Sequence, residues 1–264
     1  MRARQPQQGV EPQAGFEEPV ERLIQALERD EFELFAQPII ALDRPATVPM
    51  AEVLIRFREE EKRLLPPGAF LPVFEARGMM PDLDRWVMRH AIARLARGSR
   101  VPCLSLNISA QTTGDTEFLL HVSAELARKQ VPPSALAFEL VEEDIFARPT
   151  SVEQFAAAAR RLGCRVIIDD FGRSTVSLAP LLGLRPHYVK VDRSIVRQLD
   201  RSPHAREKLE AAVQAAKKIG IGVIGECVES DDILTRLRTA GVGFAQGYGI
   251  RMPGPIDVVT GQPR

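Results

Sequence analysis

Cysteine is scarce. The 264-residue chain has three, Cys103, Cys164 and Cys227, far apart and without a Cys-x-x-Cys pair. That argues against a disulfide framework or a zinc knuckle and fits a reducing cytoplasm. Net charge is also missing, because 35 basic residues balance 35 acidic ones. No global field would therefore draw in a nucleic-acid polymer or an anionic membrane. No apolar run approaches the roughly 18 residues that cross a bilayer. The opening Met1-Arg2-Ala3-Arg4-Gln5-Pro6-Gln7-Gln8 lacks the apolar stretch of a signal peptide or anchor. The four histidines (His90, His121, His187, His204) show no ligand spacing and read as structural or surface residues. None is placed to activate a Ser or Cys nucleophile.

What is present is a rhythm of short apolar runs separated by helical stretches. Residues 1 to 16 are rich in Gln, Pro, Gly and Arg and read as a disordered tail or linker remnant, with one folded domain over residues 17–264. Within it, Val20, Leu23, Ile24 and Leu27 fall at helical spacing, and Phe32 to Ala36 alternate with period two. Strands are expected near 49–57, 103–109, 135–142, 165–170, 188–192, 222–228 and 244–249. Helices are expected at 68–77, 81–96, 115–129, 151–163, 178–184, 203–219 and 230–240. Such alternation predicts parallel βαβ units. About eight strands without a linker-like break favour an α/β fold of the closed (β/α)₈, TIM-like barrel type over a doubly wound sheet. No Gly-x-Gly-x-x-Gly turn follows the first strand and there is no Walker loop, which counts against open nucleotide-binding folds.

Polar groups recur where these strands end, and in a barrel that is where reactive groups gather. Asp169 and Asp170 close Val166-Ile167-Ile168, while Glu52, Asn107, Glu139, Lys190 and Glu226 close or interrupt five other apolar runs. Period two places Glu52, Leu54 and Arg56 on one face, opposite Val53, Ile55 and Phe57. One of the paired aspartates could cap the next helix. Two adjacent carboxylates raise each other's pKa unless a cation neutralises them, and a metal ion does that. Glu139 within an apolar strand could be an interior ion pair or a catalytic group. Asn107 offers an oxygen that suits Mg²⁺ or Mn²⁺, or else forms a strand-end turn. Lys190 among acids could balance their charge or polarise a water.

In order along the chain stand Gln37-Pro38, Glu52-Val53-Leu54-Ile55-Arg56, Phe70-Leu71-Pro72, Leu83-Asp84-Arg85-Trp86, Asn107-Ile108-Ser109, Glu139-Leu140-Val141-Glu142, Asp169-Asp170-Phe171-Gly172, Lys190-Val191-Asp192, Glu226-Cys227-Val228-Glu229 and Gln246-Gly247-Tyr248. Together, over roughly residues 18 to 254, they resemble the EAL-domain family of bacterial phosphodiesterases acting on cyclic di-GMP. The resemblance implies metal ligands at Glu52, Asn107, Glu139 and Asp169, with Asp170 helping to hold a second ion. It implies roles around the attacking water for Lys190, Glu226 and Gln246, and a loop-bracing role for Glu142. Contacts to the ligand are implied for Gln37, Leu54, Arg56, Asp192 and Glu229. The expected reaction is two-metal hydrolysis, with Mg²⁺ or Mn²⁺, of cyclic di-GMP to linear pGpG. A homodimer or a protein partner is a further implication.

After Asp170 the chain reads Phe171-Gly172-Arg173-Ser174-Thr175-Val176-Ser177 where the family pattern has Phe-Gly-Thr-Gly-Tyr-Ser-Ser. Cys227 and Val141 stand where the pattern has Gly and Thr. The altered loop supports a second reading, a receptor that binds cyclic di-GMP with weak or no turnover. A protein-interaction module without the ligand is a third.

Overall fold

In the computed structural model, residues 19–60, 63–173, 176–177 and 179–261 are described. The expected tail at 1–16 and the loop residues Ser174 and Thr175 lie outside them.

Eight strands form the barrel: β1 (Phe32–Ala41), β2 (Met50–Glu60), β3 (Leu104–Asn107), β4 (Leu136–Val141), β5 (Arg165–Phe171), β6 (Tyr188–Val191), β7 (Gly222–Gly225) and β8 (Phe244–Ala245). Each pairs with the next in parallel from β2 to β8, and β1 closes the ring between β8 and β2. The closing strand β1 is the exception to the parallel βαβ units, since it runs antiparallel to both neighbours. Residues 42–49 leave too little chain for a crossover, which takes a dozen residues or more, so β1 and β2 form a hairpin.

Helices coat the outside because each carries one apolar stripe. The helix Pro149–Leu162 starts with proline in its first turn, buries Val152, Phe155, Ala156 and Ala159, and stops at Gly163 (φ 98°). Phe155 then meets Phe138 of β4 and Phe118 of the helix Phe118–Lys129, with ring centroids 5.6 and 6.1 Å away. Elsewhere on the outer layer Phe32, Phe57, Phe70, Phe74 and Trp86 pack ring against ring.

Inside the barrel Ile39, Met50, Cys103, Ala137, Ile167 and Ile224 form a separate apolar cluster with Tyr188 and Phe244 against it. Seven strands contribute one residue each to this plug, and Cys103, immediately before β3, is the eighth. It seals the end of the barrel where the parallel strands begin and leaves the other end to polar residues.

Several expected boundaries shift there. The strands expected at 222–228 and 244–249 stop at Gly225 and Ala245, and Glu142 opens a helix, Glu142–Ala147, instead of ending β4. The short helices Ala110–Thr113 and Arg193–Val196 were not anticipated; Ser109 and Asp192 cap them by accepting from Thr112 N and Ser194 N.

Asp84, buried in the helix Met80–Ala96, fastens the turn after β3. Its Oδ2 accepts from Ser109 N at 3.0 Å and from Thr112 Oγ1 at 2.6 Å. Burial pushes its pKa up to about 6, with these two bonds opposing the shift. The raised folded-state value means that Asp84 favours folding only below its unfolded pKa, and that this contribution disappears as pH rises through about 6. Asp84→Asn keeps an acceptor for both donors and removes the buried charge. Denaturant unfolding at pH 7 should therefore show the variant as stable as the parent or more so, by up to about 2 kcal/mol. That advantage should vanish near pH 4.

Candidate functional site

Moving along each strand from the plug toward the open rim, the second residue onward is polar in every case. Met50 leads to Glu52, Cys103 to Ser105, Ala137 to Glu139, Ile167 to Asp169, Tyr188 to Lys190, Ile224 to Glu226 and Phe244 to Gln246. In β1 the step is backwards, from Ile39 to Gln37, because that strand runs the other way. Period two thus stacks a polar tier directly on the apolar plug.

The tier centres on Lys190, which is 1% exposed. Its Nζ lies 2.5 Å from Glu226 Oε1, 2.7 Å from Glu139 Oε2, 3.1 Å from Glu52 Oε2 and 3.8 Å from Asp169 Oδ1. Burial alone would depress the lysine, but the surrounding carboxylates outweigh it and hold its pKa well above the ordinary value. Glu139 responds to burial in the opposite sense. It is pushed up to about 8, with Lys190 opposing and Glu52 and Asp169 adding to the rise. Burial likewise raises Glu226 well above the carboxylate range despite Lys190. Glu52 ends below its usual value: burial raises it, but Lys190 and hydrogen bonds from Asn107 and Gln246 prevail.

Those amides complete the ring. Asn107 Nδ2 donates to Glu52 Oε1 at 2.9 Å, and Gln246 Nε2 donates to Glu52 Oε2 at 2.7 Å and to Gln37 Oε1 at 3.0 Å. Gln37 Nε2 in turn donates to the Arg251 carbonyl at 3.0 Å. Gln246 lies beyond β8, and it reaches inward because Gly247 lies against Val228. A Cβ on Gly247 would come within 2.2 Å of that backbone, so only glycine fits.

Asp169 and Asp170 would point to opposite faces in a regular strand. Here Asp170 adopts φ 54°, where β5 slips register against β6, and its backbone N–H donates to Asp169 Oδ1 at 2.8 Å. Aspartate tolerates that conformation better than most residues. The kink gathers oxygen atoms of Asp169, Asp170 and Glu226 within 4.8 Å of one another. Beside them Glu142 Oε2 accepts from Gly172 N at 3.0 Å, bracing the turn. Arg173 reaches back over the acids, with Nη1 3.3 Å from Asp170 Oδ2 and Nε 3.8 Å from Asp192 Oδ2.

Two residues expected to contact a ligand are engaged elsewhere. Asp192 is buried and caps the helix Arg193–Val196, and Glu229 forms a half-exposed pair with Arg197 at 3.1 Å. Arg56 lies on the rim beside Leu54, its guanidinium 5.5 Å from the Phe35 ring centroid. Burial lowers its pKa, with Tyr248 and Glu52 opposing. One site feature has no counterpart in the sequence reading. The Arg251 carbonyl is a backbone group and leaves no side-chain signal. Ser105, which period two places on the same inward face as Cys103 and Asn107 but which was given no role, is fully buried with its Oγ unpartnered.

A divalent cation fits this donor set. Four carboxylates face a single ammonium, and Glu139 Oε1 is buried without a hydrogen-bond partner. The donors are hard oxygen atoms, as Mg²⁺ or Mn²⁺ require. Burial pushes the Cys103 and Cys164 thiols up to about 11 and about 12 and also raises Cys227, so none is favoured as a thiolate ligand. Lys190→Met would leave the acids facing one another without their cation. Urea unfolding at pH 8 should show a loss of about 3 kcal/mol or more, shrinking toward pH 5 as the acids take up protons.

A family model described as "EAL domain" matches residues 20–253. Cyclic di-GMP phosphodiesterase RocR of Pseudomonas aeruginosa is 30% identical over 236 residues, which are 88% of this chain and 60% of that protein. Cyclic di-GMP phosphodiesterase PdeB of Shewanella oneidensis is 29% identical over 238 residues, 89% of this chain and 28% of that protein. The chain thus spans between 28% and 60% of the length of these relatives. Among solved structures, the Xanthomonas citri FimX EAL domain in complex with cyclic di-GMP superposes with a TM-score of 0.85 at 26% identity, covering 91% of this chain and 95% of that one. The EAL domain of FimX from Pseudomonas aeruginosa, bound to the same dinucleotide, gives 0.82 at 28% identity, covering 90% and 96%. With the matching barrel and the ordered motifs already at its rim, the chain belongs to the EAL domain family.

Proposed function

We propose that the chain hydrolyses cyclic di-GMP to linear pGpG at this rim, with Mg²⁺ or Mn²⁺ as cofactor. The observation that carries the proposal is the Lys190 centre, where Glu52, Glu139 and Asp169 from three strands and Glu226 from the turn after β7 converge on one buried ammonium. So many desolvated acids are costly for a merely structural core. Glu52, Asn107, Glu139 and Asp169 would hold one ion and Asp170 would help to hold a second. Bound there, the ions would lower the pKa of a water and neutralise charge on the phosphodiester.

The chain's own residues do the rest. Glu226 and Lys190, in contact, form a pair able to orient a water and accept its proton. Gln246 positions Glu52 and Gln37 together through one amide. Arg56 provides a cation at the rim for a phosphate, with Leu54 beside it, while Gln37 offers an amide edge for a guanine. Glu142 braces the turn that carries Asp170. Asp192 and Glu229, given their partners, act by shaping the neighbouring loops.

One observation favours a binding-only variant of this reading: Arg173 already occupies Asp170. Calorimetry showing dinucleotide binding, with no product after prolonged incubation, would establish that variant. The direct assay incubates the purified chain with cyclic di-GMP and Mg²⁺ or Mn²⁺ and separates the products. Formation of pGpG above a Glu52→Ala control is expected, and its absence would sink the hydrolase reading. Lys190→Ala should slow turnover by about two orders of magnitude.

A further inference from the structure

Around Gly172 lies a second acidic group, formed by Glu142, Asp170 and Asp192. Asp192 and Glu142 are 1% and 4% exposed. Asp192 Oδ2 and Glu142 Oε1 have no hydrogen-bond partner. Buried carboxylate oxygen without a donor is costly and points to a cation that completes it. Lys208 acts on Glu142 and Arg193 on Asp170, but the cation that reaches both Asp170 Oδ2 and Asp192 Oδ2 is Arg173, at 3.3 and 3.8 Å, and its side chain is 53% exposed. The acids are fixed by the fold, whereas the guanidinium can return to water.

The main chain beneath it is pinned. Lys208 Nζ donates to the carbonyls of Gly172 and Arg173 at 3.3 and 3.4 Å. Gly172 has φ 81° and its Cβ position faces Val176 and Ile195. Movement of Arg173 would therefore be confined to its side chain. The carboxylates are covered but the guanidinium is half in water, so screening weakens its hold on them. A divalent cation concentrates twice the charge on the same oxygen atoms, so it can displace the guanidinium.

We propose that Arg173 is a built-in, exchangeable counter-ion that competes with a divalent cation for Asp170 and Asp192, so that this chain takes its second ion much more weakly than its first. The inference rests on the reading that Asp170 helps to hold a second ion. It makes metal concentration, through one side chain, the quantity that decides whether the site is complete.

The test is Mn²⁺ binding, followed by calorimetry and by electron paramagnetic resonance of free Mn²⁺, without nucleotide. The parent should bind one ion tightly and a second at least about tenfold more weakly. Arg173→Ala and Arg173→Gln should each tighten the second step about tenfold and leave the first unchanged. Arg173→Lys should retain the parent pattern, and Asp170→Asn should abolish the second step with or without Arg173. Thermal unfolding of each variant confirms that it is folded, and two neutral replacements guard against one that is not. Two ions bound with the second step unmoved by either replacement would overturn the role of Arg173 and leave the hydrolase reading intact. A single ion bound by every variant would overturn both this inference and the two-ion reading.

Discussion

One buried ammonium surrounded by four carboxylates is the constraint around which the barrel is organised. Lys190 alone would be expelled from such an interior or would lose its proton, and each acid alone would resist ionising there. Together they are tolerable only if β2, β4, β5 and the turn after β7 deliver their side chains to one point. The plug supplies that registration. Because each site residue stands two positions from an apolar partner in the same strand, packing Ile39, Met50, Ala137, Ile167 and Ile224 places the polar tier above them. The hydrophobic effect thus fixes the coordinates of an assembly of charges that would not gather by itself.

Much of this was readable in the sequence because period two is a local property. Glu52, Asn107, Glu139 and Lys190 announced themselves as polar interruptions of apolar strands, and the barrel followed from the rhythm of those strands. What escaped depended on geometry that strand periodicity does not encode. Asp169 and Asp170 should diverge, and they converge because Asp170 takes a left-handed backbone conformation. Glu226 and Gln246 were assigned to longer strands than exist, whereas both sit in turns beyond β7 and β8. Their placement comes from Gly247 pressed on Val228, a contact between loops almost twenty residues apart. The direction of β1 was not legible, because period two ends at Ala36 while the strand runs on to Ala41, and only that extension shortens the connection to 42–49 and forbids a parallel crossover.

The division of labour across the site is similarly physical. Acids on strands are held to fixed positions by the barrel, while residues on the turns above them can change without disturbing it. Arg173 belongs to the second group. Its position three residues after Asp170 is what lets it fold back over the acids, so a single loop residue alters the electrostatics of a scaffold that is otherwise unaltered. Family membership accordingly speaks to the strands more directly than to the turn.

The antiparallel closing strand ties the ring to the order in which the chain is made. Gln37 is joined to Gln246 and to Arg251 across 209 and 214 residues, and Glu52 meets Gln246 across 194. A nascent chain would therefore carry Lys190 and three of its acids well before β8 exists to shut the ring. An unclosed sheet would leave the charged tier on a wetted face, without the dry interior that raises the pKa of Glu139. Shutting the barrel and switching on its electrostatics are thus coupled through the pairing of β8 with β1.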